Sequence, residues 1–336
     1  MKFLFVCRAS TRVGLGHLMR SRTLAEHACR LHDVEMLVIG PSSLGRLTAA
    51  LPFRVTFAES DSDLFRYVFA DFDAVFYDTL ALDSDTLGFL KSHGRFAVSI
   101  SPIFEHMAHM DMVFSRTRYG QERDGAIPAK QYLGLEYTII QSSCRRIETR
   151  AFRNNLQRSV PSVAISMGGG DAANRTLQFL HSLRQCEIQA TFWVMLGEGY
   201  GHSYDPLMRA LEDDQRHEII VAKTNRSMWQ ILSNCTLAIL PGGITTYEAA
   251  YAGLPTINVF EKEDHTFLVR ELVEAGVCLN AGMMNDANLA KLNDTLTDLF
   301  DNRDTLLAMH ETSRGIIDGK GCGRILDIVE QAVEGR

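Results

Sequence analysis

The first half of the chain alternates short, uninterrupted apolar runs with longer amphipathic stretches. The apolar runs predict strands at 2–8, 33–40, 53–58, 73–78, 95–101 and 111–115. The segment after the first strand carries apolar residues at helical spacing: Leu18, Leu24, Ala25, Ala28 and Leu31. Continuous apolar strands that alternate with helices are typical of a parallel sheet covered on both faces.

This alternation stops at 141–160, a polar and arginine-rich stretch that predicts an interdomain connection with a short helix. It then resumes, with strands predicted at 162–167, 190–196, 218–222, 236–240 and 255–260 and a helical tail over 284–334. We therefore predict two Rossmann-like domains, 1–150 and 151–336, which suits a chain of 336 residues. Ligands of such sheets bind beyond the carboxyl ends of the strands, so the expected site is the cleft between the two halves.

Composition narrows the classes of function. The net charge of −7 argues against a general nucleic-acid binder. No apolar run approaches the roughly 18 residues of a transmembrane helix, so stable membrane insertion is not expected. The apolar start over 2–6 is short and predicts a buried strand instead of a signal peptide. Seven scattered cysteines without a CxxC pair are typical of reduced thiols, which predicts a cytoplasmic protein. A monomer or a weak dimer is expected.

A glycine-rich turn follows the first predicted strand. Gly14 and Gly16 allow a tight turn, and a helix should begin near His17. Four arginines surround this turn in sequence: Arg8, Arg12, Arg20 and Arg22. The segment lacks the third glycine of a dinucleotide-binding fingerprint. His17 is therefore either a general base presented to the cleft or a residue that caps the helix.

Two further glycine loops follow strands in the second half. Gly168, Gly169 and Gly170 suit main chain that approaches a phosphate or a sugar, while Asp171 could equally cap the next helix. Asn174 lies at the start of that helix.

The second loop contains Gly242 and Gly243, followed by Thr245 and Glu248. The glycines and Thr245 could hold a diphosphate at a helix N-terminus. Glu248 is one turn further on, where it could accept hydrogen bonds from a ribose or simply complement the helix dipole.

Three other positions are candidates. Asp78 ends a predicted strand, and the charged loop 261–266 follows another, either facing the cleft or serving as a solvated turn. His106 and His109 are three residues apart, but no carboxylate or cysteine completes a metal site, so no metal is predicted.

The opening GxGHxxR, the SMGGGD loop and the PGGITTYEAAYAGLP segment occur together in this order. This combination resembles the UDP-sugar hydrolases of the pseudaminic acid pathway and their spore-coat polysaccharide relatives. The resemblance implies an α/β chain with the GT-B architecture, in which two Rossmann-like domains with parallel sheets face a central cleft. Gly134-Leu135-Glu136-Tyr137 and Glu274-Ala275-Gly276 extend it over nearly the whole chain.

The resemblance implies hydrolysis of a UDP-activated amino or deoxy sugar to UDP and free sugar, without cofactor or metal. By analogy, His17 activates the water with Asp78 as a second catalytic residue, and Gly14, Gly16, Arg12 and Arg20 bind substrate. Residues 168–170, Asn174 and 242–248 then hold the UDP, with Met228 near the uracil. Two positions depart from the family pattern: Leu80 stands where a Tyr is expected, and Asp264-His265 where Asn-Gln is expected. In the family both positions contact the sugar, so Asp264 and His265 are expected to contact the sugar here.

Two alternatives stay open. The first is a glycosyltransferase that uses the same UDP site and passes the sugar to a hydroxyl or a lipid-linked acceptor. The second is a catalytically silent subunit that binds the nucleotide sugar.

Overall fold

The computed structural model describes residues 1–10, 13–120, 130–223 and 228–335. They form two compact units, each built on a parallel sheet. Unit 1 comprises Met1–Gln141 and Gly319–Arg336, and unit 2 comprises Ser142–Asp318. Among the described residues no helix is both long and apolar enough to cross a bilayer.

Unit 1 contains a seven-stranded sheet with the order β3-β2-β1-β4-β5-β6-β7. Its strands are β1 (Lys2–Arg8), β2 (Asp33–Ile39), β3 (Arg54–Ala58), β4 (Ala74–Asp78), β5 (Ala97–Ser99), β6 (Met112–Ser115) and β7 (Lys130–Leu133). Its helices are α1 (Gly16–Ala28), α2 (Asp61–Leu64), α3 (Ser84–Ser92) and, from the end of the chain, α12 (Gly321–Glu334). Short 3₁₀ turns cover Ser42–Leu47, Phe104–His109 and Leu135–Tyr137.

Unit 2 contains a six-stranded sheet with the order β10-β9-β8-β11-β12-β13. Its strands are β8 (Ser162–Ile165), β9 (Thr191–Leu196), β10 (Glu218–Lys223), β11 (Leu237–Leu240), β12 (Thr256–Phe260) and β13 (Cys278–Met283). Its helices are α4 (Thr149–Leu156), α5 (Arg175–Leu183), α6 (Asp205–Glu212), α7 (Met228–Leu232), α8 (Ile244–Ala252), α9 (Phe267–Glu274), α10 (Asp286–Asp301) and α11 (Arg303–Ser313). A 3₁₀ turn covers Glu263–His265.

The strand β1 is apolar without interruption from Phe3 to Cys7, because both of its faces are buried. Phe3 and Phe5 pack into a core with α1 and α12, whereas Leu4 and Val6 pack into a second core with α3. Successive side chains of a strand point to opposite faces, so a strand buried on both faces needs no polar alternation. All eleven strands predicted from apolar runs are present within a few residues of their predicted bounds.

Two strands were missed, and both lie at sheet edges. β7 (KQYL) and β13 (CLNAGM) are largely half-exposed, so neither needs a continuous apolar run. The predicted short helix in the connection is α4, which packs against α11 inside unit 2. Leu31, predicted on the apolar face of the first helix, lies beyond its end and is 82% exposed.

The second domain was predicted to run over 151–336, but unit 2 ends at Asp318. The helical tail comprises three helices, and the last, α12, belongs to unit 1. Cys322, Ile325, Leu326 and Val329 are buried in the core that contains β1 and α1. Each fully buried aliphatic side chain of this kind stabilises the fold by about 1.5–3 kcal/mol, which explains why α12 packs against unit 1.

Candidate active site

In unit 1 the candidate site lies at the point where the strand order reverses. β1 is hydrogen-bonded to β2 on one side and to β4 on the other, with Cys7 opposite Asp78 in the β1–β4 register. The loop after β1 leads into α1, which carries His17, and β4 ends at Asp78. Such a switch point between neighbouring parallel strands is where open α/β sheets bind ligands.

His17 and Asp78 are in direct contact. The Nδ1 atom of His17 lies 2.6 Å from Oδ1 of Asp78. The side chain of Asp78 is completely buried, whereas that of His17 is 13% exposed. Because the carboxylate is ionised and can only accept, Nδ1 carries the proton and donates it to Asp78. When the ring is neutral, its Nε2 atom is then the acceptor, as a general base requires.

The other contacts of Asp78 come from α1. Arg20 donates from Nε to Oδ2 at 2.8 Å and from a terminal nitrogen to Oδ1 at 2.5 Å, and Ser21 Oγ lies 3.3 Å from Oδ2. Burial alone would raise the pKa of Asp78, but the charges and hydrogen bonds of Arg20 and His17 outweigh it and lower the pKa to about 2. Asp78 is therefore buried where it can position His17, and its catalytic role stays a prediction.

The two hypotheses for His17 can now be compared. The N-cap of α1 is Leu15, and no side chain caps this helix end within the described residues, so His17 is not a capping residue. Gly14 has φ +93° and receives no contact at its missing Cβ position, and its N–H donates to the Ser10 carbonyl. Gly16 is the first residue of α1. The tight turn before the helix is thus present.

Three arginines of the predicted basic cluster around this turn have carboxylate partners. Arg20 is directed at Asp78 and its side chain is only 8% exposed, and its binding of substrate stays a prediction. Arg8 pairs with Asp61, and Arg22 pairs with Glu26. Arg12 lies outside the described residues. Sequence analysis also missed Ser21, although His17, Arg20 and Ser21 have the i, i+3, i+4 spacing of one helix face.

Unit 2 has its own switch point, between β8 and β11. The loop 166–174 follows β8, the loop 241–243 follows β11, and the loop 261–266 follows β12. All three loops lie beyond the carboxyl ends of adjacent strands, as the sequence predicts for a ligand site.

The loop after β8 packs tightly against its neighbour after β9. The N–H of Gly199 donates to the Gly169 carbonyl at 2.9 Å, and a Cβ on Gly197 would lie 2.5 Å from Gly169 main-chain atoms. Gly168 has φ +90°, a conformation that favours glycine. Close packing of main chain against main chain therefore accounts for Gly197, whose missing Cβ would collide with Gly169.

Asp171 occupies the N-terminus of the following helix, α5. Its two carboxylate oxygens accept from the N–H groups of Arg175 and Thr176, at 2.8 and 2.9 Å. The N-cap residue of α5 is Asn174, so Asp171 is not the N-cap itself, but its carboxylate satisfies the first N–H groups of the helix from three residues earlier. The predicted nucleotide-binding residue Asn174 is instead engaged by Tyr200, whose hydroxyl donates to Asn174 Oδ1 at 2.8 Å.

The loop after β11 is different. Gly243 is the N-cap of α8, no side chain caps that helix within the described residues, and its first turn contains no acidic residue. A Cβ on Gly243 would meet nothing within 4 Å, whereas one on Gly242 would lie 2.4 Å from the Phe260 ring. Thr245 is half-buried in the first turn. This helix end has the N–H donors and the open approach that a phosphate group requires.

For the remaining predicted site residues, the structure gives burial and a few contacts. Glu248 is only 3% exposed, and its carbonyl accepts from the Cys144 thiol, so a ribose contact would have to be made at a buried carboxylate. Met228 begins α7 and is half-buried. Asp264 and His265 are exposed in the turn after β12. The ring of His106 lies 2.6 Å from the carbonyl of Leu82, which gives this histidine a structural partner.

No protein-family model matches this chain. Among curated proteins, it is 23% identical over 205 residues to the spore coat polysaccharide biosynthesis protein SpsG of Bacillus subtilis, which covers 60% of this chain and 59% of that protein. The chain spans less than two thirds of the length of the curated relatives it matches.

Three solved structures are similar over 98–100% of this chain. Anabaena Alr3699/HepE in complex with UDP-glucose has a TM-score of 0.68 at 14% identity, matched over 100% of its length. Acinetobacter baumannii MurG has a TM-score of 0.66 at 17% identity, matched over 100% of its length. The spinosyn forosaminyltransferase SpnP has a TM-score of 0.66 at 13% identity, matched over 99% of its length. The chain has the GT-B fold. Its two units are the two Rossmann-like domains of that fold, as the motif resemblance implied.

Proposed function

We propose that this protein is a glycosyltransferase that moves a sugar from a UDP-sugar donor to an acceptor hydroxyl, with His17 as the general base. The observation that carries the proposal is the His17–Asp78 pair, in which Asp78 fixes the Nδ1–H tautomer. The Nε2 atom would take the proton of the acceptor hydroxyl while its oxygen bonds to the anomeric carbon. The bond from that carbon to the diphosphate then breaks, and UDP leaves with the electron pair.

UDP is proposed to bind in unit 2, at the N-terminus of α8. Gly243, Thr245 and the first N–H groups of α8 would contact the diphosphate, whose negative charge the helix dipole favours. HepE, one of the structural neighbours, binds UDP-glucose, which supports this nucleotide sugar class. Glu248 and Met228 are proposed to contact the ribose and the uracil.

Hydrolysis, which the sequence motifs placed first, becomes the second candidate. The same base could activate water, and the similarity to the motifs of UDP-sugar hydrolases favours this outcome. The fold shared with a named transferase favours a hydroxyl acceptor instead. An intact, oriented base argues against a silent binding subunit.

One experiment separates these functions. The protein is incubated with a panel of UDP-sugars, each with and without hydroxyl acceptors, and released UDP, free sugar and glycoside are quantified. Acceptor-dependent glycoside supports transfer, and free sugar in equal amount to UDP supports hydrolysis. UDP binding without turnover on any donor would contradict both enzymatic proposals.

The mechanism is tested with His17→Asn. We expect kcat to fall at least about 10²-fold, the usual cost of losing a general base. UDP affinity measured by calorimetry should stay unchanged, because the nucleotide is assigned to unit 2. His27→Asn, on the last turn of the same helix, is the matched control and should keep wild-type turnover. Wild-type turnover in His17→Asn would refute the assignment of the base.

A further inference from the structure

The carboxylate of Asp78 is shared between a weak base and a permanent cation. His17 Nδ1 and one terminal nitrogen of Arg20 both reach Oδ1, and Arg20 Nε reaches Oδ2. This is the two-pronged geometry in which a guanidinium binds a carboxylate most strongly. The side chains are almost entirely removed from water, at 8% exposure for Arg20 and zero for Asp78.

Such a carboxylate, left alone beside a buried histidine, would favour the imidazolium form. Arg20 changes this balance, because its charge is present at any pH that the protein experiences. The Arg20 terminal nitrogen also lies 3.3 Å from His17 Nδ1, where both groups are donors when Asp78 is ionised. A second proton on His17 would therefore place two cations side by side.

We propose that Arg20 is a positioning residue that neutralises Asp78, so that Asp78 orients His17 without stabilising its protonated form. The relevance of this arrangement to turnover rests on the proposed function, but the charge balance itself does not.

Several other charged groups near α1 have partners elsewhere. This helix packs against β1, β2, β4 and α12. From β1, burial and the nearby Asp78 raise the pKa of Cys7, which therefore stays a neutral thiol, and Arg8 pairs with Asp61. Glu35 of β2 pairs with Lys2, and Asp327 of α12 acts on His27 at the far end of α1. Asp78 and Arg20 are the charged groups in direct contact with the His17 ring.

The test is a titration of His17 by NMR, which follows its ring protons and needs no substrate. In Arg20→Gln we expect the pKa of His17 to rise by about 1–3 units, the size of shift that one uncompensated neighbouring carboxylate produces. Arg22→Gln is the matched control, because Arg22 is a buried arginine of the same helix that pairs with Glu26. It should leave the His17 pKa unchanged. An unchanged pKa in Arg20→Gln would overturn the proposal.

A second variant covers the possibility that Arg20→Gln does not fold with an uncompensated buried carboxylate. Arg20→Gln/Asp78→Asn replaces the charged pair by a neutral pair of similar size. If Arg20 cancels Asp78, the His17 pKa should stay within about half a unit of the wild-type value, since no net charge is removed. A fall of about one unit or more would show that Asp78 acts on His17 uncompensated, which contradicts the proposal.

The pH–rate profile gives the link to activity. If UDP-sugar turnover is found, its acidic limb should move to higher pH in Arg20→Gln by the same amount as the NMR pKa. If no nucleotide sugar is turned over, the proposed function fails while the NMR result still decides the role of Arg20.

Discussion

The glycine-rich junctions before α5 and α8 resemble each other in sequence and differ in what their helix ends can do. Each follows a buried strand at the same switch point, and each was predicted to help hold the UDP. At α5, the Asp171 carboxylate already accepts from the N–H groups of Arg175 and Thr176. At α8, the N-cap is Gly243 and no described side chain caps the helix. A glycine loop therefore predicts an anion site only when no nearby acid can occupy the helix end.

The largest effect on UDP binding is expected when the N-terminus of α8 is given a carboxylate, as the N-terminus of α5 has. Gly243→Asp places it at an N-cap with extended backbone and open space, so the fold should tolerate it. Calorimetry should show UDP binding weakened by about 1.5–3 kcal/mol, the value of hydrogen bonds to a charged group. The melting temperature should change little, because Asp is a favourable N-cap.

Gly243→Asn is the control for that substitution, since it can cap the helix without adding charge, and it should weaken UDP binding less. Unchanged UDP affinity in Gly243→Asp would move the diphosphate away from α8.

The opposite change is expected at α5. Asp171→Ala removes the capping carboxylate and should cost about 0.5–2 kcal/mol of unfolding free energy, measured by denaturant titration. UDP affinity should stay near the wild-type value, because this helix end is not assigned to the nucleotide. Asp171→Asn, which keeps one acceptor oxygen, should be destabilised less. A loss of UDP affinity without loss of stability in Asp171→Ala would reverse the roles of the two junctions.

The smallest effect is expected at Thr245. Its hydroxyl, half-buried in the first turn of α8, is proposed to donate to the diphosphate. Thr245→Val should weaken UDP binding by about 0.5–1.5 kcal/mol, the usual net value of one hydrogen bond.

Thr246→Val is the matched control for Thr245→Val. Thr246 is fully buried and accepts from Asn258 Nδ2 at 2.8 Å, so its loss should lower stability and leave UDP affinity unchanged. Equal effects of the two substitutions on UDP binding would argue against a direct contact from Thr245.

The strands were predictable where burial acts on both faces. β4 is buried at all five positions, and its apolar run ends at the functional Asp78. The edge strands β7 and β13 left no such pattern, because one side of an edge strand makes no ladder and its side chains are largely half-exposed. A local apolar pattern thus predicts strands that are buried on both faces, and it does not predict strands that are defined mainly by pairing at a sheet edge.

The candidate site was predictable only in its local part. The glycines before His17 mark a turn between strand and helix, and that signal lies within four residues. The partner of Arg20 is 58 residues away and is brought close by the pairing of β1 with β4. Charge alone therefore suggested a basic cluster for ligands, whereas the sheet register turned Arg20 toward a buried carboxylate.

The helix α12 has a consequence for how the protein is made. Because Ile325, Leu326 and Val329 complete the core around β1 and α1, unit 1 remains unfinished until this helix emerges from the ribosome. All of unit 2, from Ser142 to Asp318, is translated before then and can fold first as a continuous segment. The apolar surface of the amino-terminal half would thus stay exposed until a helix encoded almost two hundred codons later is made. We therefore expect aggregation of the nascent chain to begin in this half.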